Sequence, residues 1–267
     1  MKLRPVAGIV LRQFYLLRGS PVRVFPMVTW VAIDIVLWGF ITRYLNSVSG
    51  SGVDFVPALL GGVLLWDFCA RIMQGVSTAF LEDVWSRNFL NVFSSPLSIS
   101  EYIAGLVITS TLTSVVGLVV MLVLAAVLFH VQFLALGAAL AAFLLVLFVF
   151  GITLGIVASA IVLRLGPASE WLMWPLPALL SPFAAVFYPL SVLPPWMQWV
   201  AHALPPAYVF EGMRGVLGGH AFSGALFAQG AAVGLGELLL AGYYFARVHR
   251  YAVRSGLLAR YSAESTA

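Results

Sequence analysis

The sequence contains very little charge. Only 9% of its 267 residues are Asp, Glu, Lys or Arg, and 62% are hydrophobic, whereas soluble domains average about 25% charged residues. This composition excludes a water-soluble globule, because there is too little polar surface to cover one. The apolar stretches are long and lack a ten-residue alternation, so the backbone must satisfy its hydrogen bonds within helices. We therefore predict an all-α membrane protein.

Cysteine and recognisable catalytic motifs are equally scarce. Cys69 is the only cysteine, which excludes a disulfide framework and a cysteine-ligated metal site within one chain. The sequence has no HExxH, GxSxG or GxxxxGK[ST] motif, and its four histidines lack ligand spacing. We predict neither an enzyme nor a bound cofactor or metal. Any ATP that this protein uses must therefore be hydrolysed by another chain.

The basic residues are spread along the chain. They number 14 and give a net charge of +4, yet they form no patch typical of nucleic-acid binding. Their placement fits the excess of Lys and Arg in cytoplasmic loops. With the N-terminus inside, eleven of them are cytoplasmic, Arg43 and Arg214 lie outside, and Arg71 falls within a span. We predict a multi-pass protein of the cytoplasmic (inner) membrane with both termini in the cytoplasm.

Six apolar segments are about 20 residues long, the length needed to cross a bilayer. They lie at 24–42, 55–78, 102–129, 133–163, 171–189 and 222–246. The expected organisation is a cytoplasmic interfacial helix in 1–23, a six-span domain in 24–246 and a basic cytoplasmic tail in 247–267. A flexible tail is the alternative for the N-terminal segment, whose apolar residues are numerous for a solvated one. No small-residue cleavage site precedes the first span, so we expect that span to be retained.

The connection between the second and third spans, 79–100, is amphipathic. Glu82 and Asp83 favour a helix start, the apolar residues that follow recur at helical spacing, and a Ser-Ser-Pro sequence at 94–96 ends the pattern. We predict a short cytoplasmic helix over about 82–94. Ser98 and Glu101 have the spacing of a capping box that opens the third span.

The later spans contain small residues and prolines. Span four, which follows span three in a hairpin through 130–132, has small residues at four-residue spacing that permit close helix packing: Gly151, Gly155 and Ser159. Span five has four prolines that kink or break it: Pro175, Pro177, Pro182 and Pro189. The loop at 190–221 predicts two short re-entrant or interfacial helices at the outer face. The residues expected to anchor this outer hairpin or to act within it are Trp196, Trp199, Tyr208 and Glu211.

Four ionisable residues fall at membrane depth, where charge is costly and functional roles are common. They are Asp34, Asp67, Arg71 and Glu237. Asp67 precedes Arg71 by one helical turn, an order that favours pairing. One interpretation is a structural pair within the bundle. The other is a polar substrate path that also includes Trp38 and Trp66.

Three segments resemble the permease subunits of ABC-2 type transporters. Their sequences are LLWDFCARIMQGVST at 64–78, FLEDVWSRNFLNVFSSPLS at 80–98 and FYPLSVLPPWMQWVAHALPPAYVFEGMRG at 187–215. Such permeases export polysaccharides, lipo-oligosaccharides or drugs. The resemblance implies two permease copies, identical or paralogous, in complex with two separate ABC ATPase subunits, which bind ATP and Mg²⁺.

The resemblance also implies that the helix at 82–94 is the coupling helix, which docks into a groove of the ATPase. Docking needs apolar anchors for burial and polar groups for register. The expected docking residues are Glu82, Asp83, Val84, Trp85, Arg87, Asn88, Phe89, Asn91 and Phe93. A helix that only lies on the membrane surface is the alternative.

The expected function is outward transport of a glycan, a lipid-linked molecule or an amphipathic small molecule. The alternative is a secondary transporter or proton-linked channel that uses the intramembrane carboxylates. Such carriers often contain internal repeats, and residues 24–129 and 133–246 show no convincing similarity. An intramembrane enzyme is disfavoured because the sequence lacks paired catalytic groups.

Overall fold

The computed structural model describes residues 3–49, 56–86 and 97–255. Within these residues the chain forms nine α-helices and no strand, so the predicted all-α class is confirmed. The helices are α1 Leu3–Arg18, α2 Pro21–Ser49, α3 Val56–Trp85, α4 Ile99–Phe129, α5 Ala138–Leu165, α6 Leu176–Leu180, α7 Pro195–His202, α8 Pro205–Leu217 and α9 Gly224–Arg254. Short 3₁₀ turns lie at Phe133–Leu136, Pro167–Leu172 and Leu190–Val192.

Five of the described helices are long and apolar enough to cross a membrane: α2, α3, α4, α5 and α9. They correspond to the predicted first, second, third, fourth and sixth spans. The chain is therefore a multi-pass membrane protein. α3 is central, since it packs against α2, α4 and α5, while α9 packs on α5 and α8.

Helices α3 and α5 approach each other closely, and small residues make this approach possible. A Cβ atom on Gly151 would lie 2.8 Å from the carbonyl oxygen of Cys69, and one on Gly155 would lie 2.8 Å from Cβ of Val76. Neither position has room for a side chain. The four-residue glycine spacing thus serves helix packing, as predicted.

The start of α4 has the predicted capping box. Ser98 Oγ accepts a hydrogen bond from the backbone N–H of Glu101, and the Glu101 carboxylate accepts one from the backbone N–H of Ser98. At the other end of α4, His130 has a left-handed conformation with φ of 58° and closes the helix. A 3₁₀ turn follows, so α5 begins at Ala138 rather than at 133.

The predicted boundary between the second span and a separate cytoplasmic helix is wrong. α3 continues without a break through 79–85, so Glu82, Asp83, Val84 and Trp85 form its last turn. No glycine or proline interrupts this stretch, and Phe80 and Leu81 are fully buried. Burial therefore extends the helix beyond the apolar segment. Residues 87–94 of the predicted coupling helix lie outside the described part of the chain.

The predicted fifth span, 171–189, is not one continuous helix. It consists of a 3₁₀ turn, the five-residue α6 and irregular backbone, because its prolines lack N–H donors and clash with the preceding turn. The segment nevertheless follows α3. Trp174 and Gln74 line the same pocket, and the carbonyl oxygen of Val186 lies 3.0 Å from the position that a Cβ on Gly62 would take. Those α3 positions are about 18 Å apart along the helix axis.

Candidate functional site

An ion pair occupies the middle of α3. Arg71 donates hydrogen bonds from Nε to Asp67 Oδ2 and from one terminal nitrogen to Asp67 Oδ1, the latter at 3.2 Å. Asp34 on α2 lies close enough to interact electrostatically with both residues. The predicted pairing is present, and three of the four intramembrane ionisable residues form one cluster. A bidentate pair of this kind fixes the guanidinium plane.

Arg71 also faces a pocket of about 330 Å³ between α2, α3, α4 and the stretch that was predicted as the fifth span, 171–189. We call this stretch, which its prolines interrupt, the broken segment. Its lining combines hydroxyl, amide and guanidinium groups with two tryptophans: Trp30, Arg71, Gln74, Gly75, Thr78, Thr113, Ser114 and Trp174. Trp30 and Trp174 are exposed at the rim. Ser114 is 2% exposed, and its Oγ has no hydrogen-bond partner among the described residues. The pocket therefore presents unused hydrogen-bonding capacity within an apolar bundle.

The groups that line this pocket are suited to binding a ligand. The guanidinium can pair with an anionic or strongly polar group, the amide and hydroxyls can orient it, and the indole rings offer apolar faces to its lipophilic part. In the described ranges 3–49, 56–86 and 97–255, no three His, Cys, Asp or Glu residues come together as potential metal ligands. The arrangement thus resembles a recognition site for an amphipathic molecule.

The structure separates Glu237 from this cluster. Glu237 lies on α9, which packs mainly against α5 and α8. Its Oε2 is buried and has no hydrogen-bond partner in the described part of the chain. The predicted substrate path therefore does not come together as one group, and Glu237 stands apart from Asp34, Asp67 and Arg71.

The two tryptophans predicted for the path lie nearer the N-terminal end of α3. Trp38 stacks on Phe187 of the broken segment, with ring centroids 4.8 Å apart. Trp66 packs at a tilt against Phe210 of α8, with centroids 6.2 Å apart. Aromatic contacts thus connect α2 and α3 with the broken segment and the outer hairpin. Offset and tilted arrangements of this type favour association beyond apolar burial alone.

Glu211 and Arg214 of α8 hold the broken segment in place. Arg214 donates to the carbonyl oxygen of Ala185 at 3.0 Å, and Glu211 accepts from the backbone N–H of Leu190 at 2.6 Å. The two side chains also form a salt bridge of 3.0 Å. Backbone groups that a proline-broken span cannot satisfy by itself must find partners inside the protein. This pair supplies them, a structural role that the loop sequence did not reveal.

The segment predicted as the outer hairpin forms two helices, α7 and α8, and each begins with proline, as predicted. Trp199 is 79% exposed and Trp196 62% exposed, although the Trp196 ring also contacts Phe183. Tyr208 donates a hydrogen bond from its hydroxyl to the carbonyl oxygen of His202 at 2.8 Å and so ties the two helices together. Exposed indoles at a helix-pair surface are suited to a membrane interface.

At the opposite end of α3, Asp83 binds two other helices. Its carboxylate accepts a hydrogen bond from the Tyr102 hydroxyl of α4 at 2.7 Å and pairs with the Arg12 guanidinium of α1. The hydrogen bond from Arg12 to Asp83 raises the pKa of the Arg12 guanidinium above its ordinary value. Three helices thereby meet at one buried carboxylate, which joins them more firmly than apolar contact alone.

Only part of the expected docking surface is described. Trp85 is 51% exposed and accessible, Glu82 is partly buried, and Val84 is buried. Asp83 was expected to face a partner, but its side chain is fully buried within the chain. The other predicted docking residues lie outside the described ranges: Arg87, Asn88, Phe89, Asn91 and Phe93.

Most of the pocket around Arg71 was not predicted from the sequence. Hydroxyl residues at 109, 110, 113 and 114 are a visible signal in an otherwise apolar span. Ser110 uses its hydroxyl to contact the carbonyl oxygen of Ile72 at 2.8 Å, which brings α4 against α3. The contribution of Trp174 had no sequence signal, because it depends on how the broken segment folds back along α3.

Comparison with known proteins identifies the family. The protein-family model described as ABC-2 type transporter matches residues 12–217, more than three quarters of the chain. The match includes the ion pair, the broken segment and the outer hairpin. No curated protein sequence matches the chain.

Proposed function

Since this chain belongs to the ABC-2 type transporter family, we propose that it is the permease of an ABC exporter whose ATP is hydrolysed by a separate subunit. Its cargo is an amphipathic molecule, lipid-linked or glycan-bearing, that moves outward across the cytoplasmic membrane. Two permease copies and two ATPase subunits form the working complex. ATP and Mg²⁺ bind to the ATPase subunits.

The observation that carries this proposal is the pocket around Arg71. Its polar side chains are buried or half-buried, and the two tryptophans at its rim are exposed. A molecule with a polar head and an apolar tail can enter such a site from the lipid with its head toward Arg71. Asp67 keeps the guanidinium oriented and lowers the cost of keeping a charge there. The pocket thus supports a place in the substrate path for Arg71, to which Asp67 is hydrogen-bonded and Asp34 is electrostatically coupled.

The distribution of arginines supports cytoplasmic termini. Arg164 and Arg247 line one pocket at the C-terminal ends of α5 and α9, and Phe245 contacts Phe80 near the C-terminal end of α3. Arg43 lies at the other end, in a pocket with His130. The basic end corresponds to the cytoplasm. In this orientation, the broken segment is the fifth of six crossings.

α3 connects the proposed ATPase contact with the pocket. Trp85, at its exposed end, and Arg71 are separated by 14 residues of continuous helix, or about 21 Å. A displacement of the docking region therefore moves Arg71 as part of the same rigid element. ATP binding shifts the permease only if the ATPase favours one of two arrangements. Because Arg12, Asp83 and Tyr102 join α1, α3 and α4, a displacement of α3 also displaces α1 and α4.

Purification from native membranes tests this proposal. The affinity-tagged chain should carry with it a protein that contains an ATP-binding motif, identified by mass spectrometry, and vanadate-sensitive ATP hydrolysis. Trp85→Ala should remove most of both, because it deletes the exposed apolar anchor. Trp199→Ala is the matched control, since it removes an exposed tryptophan at the opposite end, and should retain both. Equal recovery of the ATPase with the two variants would contradict the docking assignment.

A proton-coupled carrier is less well supported. A proton relay through three carboxylates requires that they lie close enough together to transfer protons. Asp34 lies near Asp67, but Glu237 is on α9, which packs mainly against α5 and α8. Such a carrier would work without any ATPase and would respond to a pH gradient. These two outcomes would replace the exporter proposal.

A further inference from the structure

A second cleft lies between the C-terminal ends of α5 and α9. It has a volume of about 740 Å³ and is lined by Arg164 of α5 and by Tyr243, Tyr244, Arg247 and Tyr251 of α9, among others. Arg247 also stands over the Tyr243 ring, 5.2 Å from its centroid. The cleft is remote from the Arg71 pocket and has no part in the proposed transport path.

The cleft carries a concentrated positive charge. An adjoining hollow of about 320 Å³ shares Tyr243, Arg247 and Tyr251 and adds Arg250 and Arg254. Four arginines thus line the cleft and the hollow: Arg164, Arg247, Arg250 and Arg254. In the part of the chain that the structure describes, none of them forms a salt bridge with a carboxylate. Guanidinium groups bind phosphate by paired hydrogen bonds. The site therefore has the charge and the donors for a phosphate-bearing ligand.

The exposed face of α9 changes from apolar to basic along the length of the helix. Leu235 and Leu239 are exposed, Tyr243 follows one turn later, and Arg247 and Tyr251 continue the same four-residue spacing. These positions form one stripe on a helix. Leucines, then an amphipathic tyrosine, then arginine reproduce the order of acyl chain, glycerol region and phosphate in a phospholipid. A free anion would contact the guanidinium groups but would make no contact with the two leucines.

We propose that this cleft binds the headgroup of an anionic phospholipid, with its phosphate between Arg164 and Arg247 and its acyl chains along Leu235 and Leu239. Basic residues that only determine the membrane topology need no more than a position near a helix end. Here residues of two helices, three tyrosines among them, line a half-open cleft around the arginines, which makes a binding site rather than a charged rim. Basic pockets between membrane helices are suited to anionic lipid headgroups. The site is independent of what the permease transports.

Photocrosslinking tests the site directly. The full chain is placed in lipid nanodiscs that contain a phosphatidylglycerol with a photoactivatable group in its acyl chain, and the labelled peptides are mapped. We expect labelling along 235–251 and little labelling from the matched phosphatidylcholine probe. Arg164→Gln with Arg247→Gln should reduce phosphatidylglycerol labelling more than tenfold, at about fivefold per guanidinium. Arg43→Gln, at the other end of the bundle, should leave it unchanged.

Two further arms make the result decisive. Arg164→Lys with Arg247→Lys keeps the charge and should retain much of the labelling, which shows that the glutamine variant lost a charge rather than its fold. Soluble glycerophosphate should compete only weakly. Equal labelling by phosphatidylcholine, unchanged labelling in the glutamine variant, or complete competition by glycerophosphate would each overturn the lipid assignment.

Discussion

The hydroxyl of Tyr102 donates a 2.7 Å hydrogen bond to Asp83, and both side chains are fully buried. This bond joins the first turn of α4 to the last turn of α3. Arg12 pairs with the same carboxylate from α1. Helices that meet at one buried carboxylate cannot move separately without leaving it unpaired, which is costly. The ends of α1, α3 and α4 that meet at Asp83 therefore move together in our account.

The Tyr102 bond should be measurable as stability. Tyr102→Phe keeps the ring and removes only the donor, so we expect a loss of about 2 kcal/mol in the free energy of unfolding. Titration with SDS in a mild detergent measures it. Tyr15→Phe is the control, because Tyr15 is exposed on α1 and should show no change. An equal effect of the two substitutions would argue against a buried Tyr102–Asp83 bond.

Arg214 should be required to hold the broken segment. Arg214→Ala leaves the carbonyl oxygen of Ala185 without its donor, so we expect a loss of about 1–3 kcal/mol in unfolding free energy.

Ala185 itself has a φ of 52°, a left-handed conformation that disfavours a side chain. Ala185→Gly should therefore stabilise the protein by about 1 kcal/mol. A destabilising Ala185→Gly would show that the segment has another backbone conformation.

The glycine contact between α3 and α5 should tolerate no added methyl group. Gly155→Ala places a Cβ 2.8 Å from Cβ of Val76, and we expect this overpacking to cost about 1–3 kcal/mol. Gly236→Ala on α9 is the control, because nothing lies within 4 Å of the added Cβ. That change should be neutral or stabilising by up to about 1 kcal/mol, since alanine favours helices. Thermal unfolding in detergent compares the two; the reverse ranking would refute the contact.

Six crossings can be tested by cysteine labelling. The native Cys69 is buried and should not react, so single introduced cysteines report their own side of the membrane. In intact cells, a membrane-impermeant maleimide should label His220→Cys. It should label Tyr15→Cys and Ser255→Cys only after permeabilisation. Labelling of Ser255→Cys in intact cells would mean that the broken segment does not cross.

Local patterns in the sequence predicted much of the fold. Apolar length identified the five long helices, the Ser98–Glu101 spacing identified a cap, and the glycines of α5 marked a close contact. Each of these signals depends on residues near one another in the chain. The extension of α3 to Trp85 was missed because burial against other helices, not local composition, maintains it.

The candidate site was less predictable for the same reason. The Asp67–Arg71 pair lies on one helix and was visible from its spacing. The pocket needs Ser114 from α4 and Trp174 from a broken segment, and single-sequence patterns do not indicate which helices are neighbours. Asp83 was assigned to the docking surface from the family resemblance; its partners, Arg12 and Tyr102, are distant in sequence.

In our proposal, ATP hydrolysis by a partner subunit drives export through the Arg71 pocket. The most direct measurement uses proteoliposomes that contain the purified permease–ATPase complex and an NBD-labelled anionic lipid, with dithionite reduction reporting which leaflet holds the probe. We predict ATP-dependent movement of the probe, lost in Arg71→Gln and retained in Arg43→Gln, with no response to an imposed pH gradient. Movement that follows the pH gradient without ATP, or that persists in Arg71→Gln, would contradict the account.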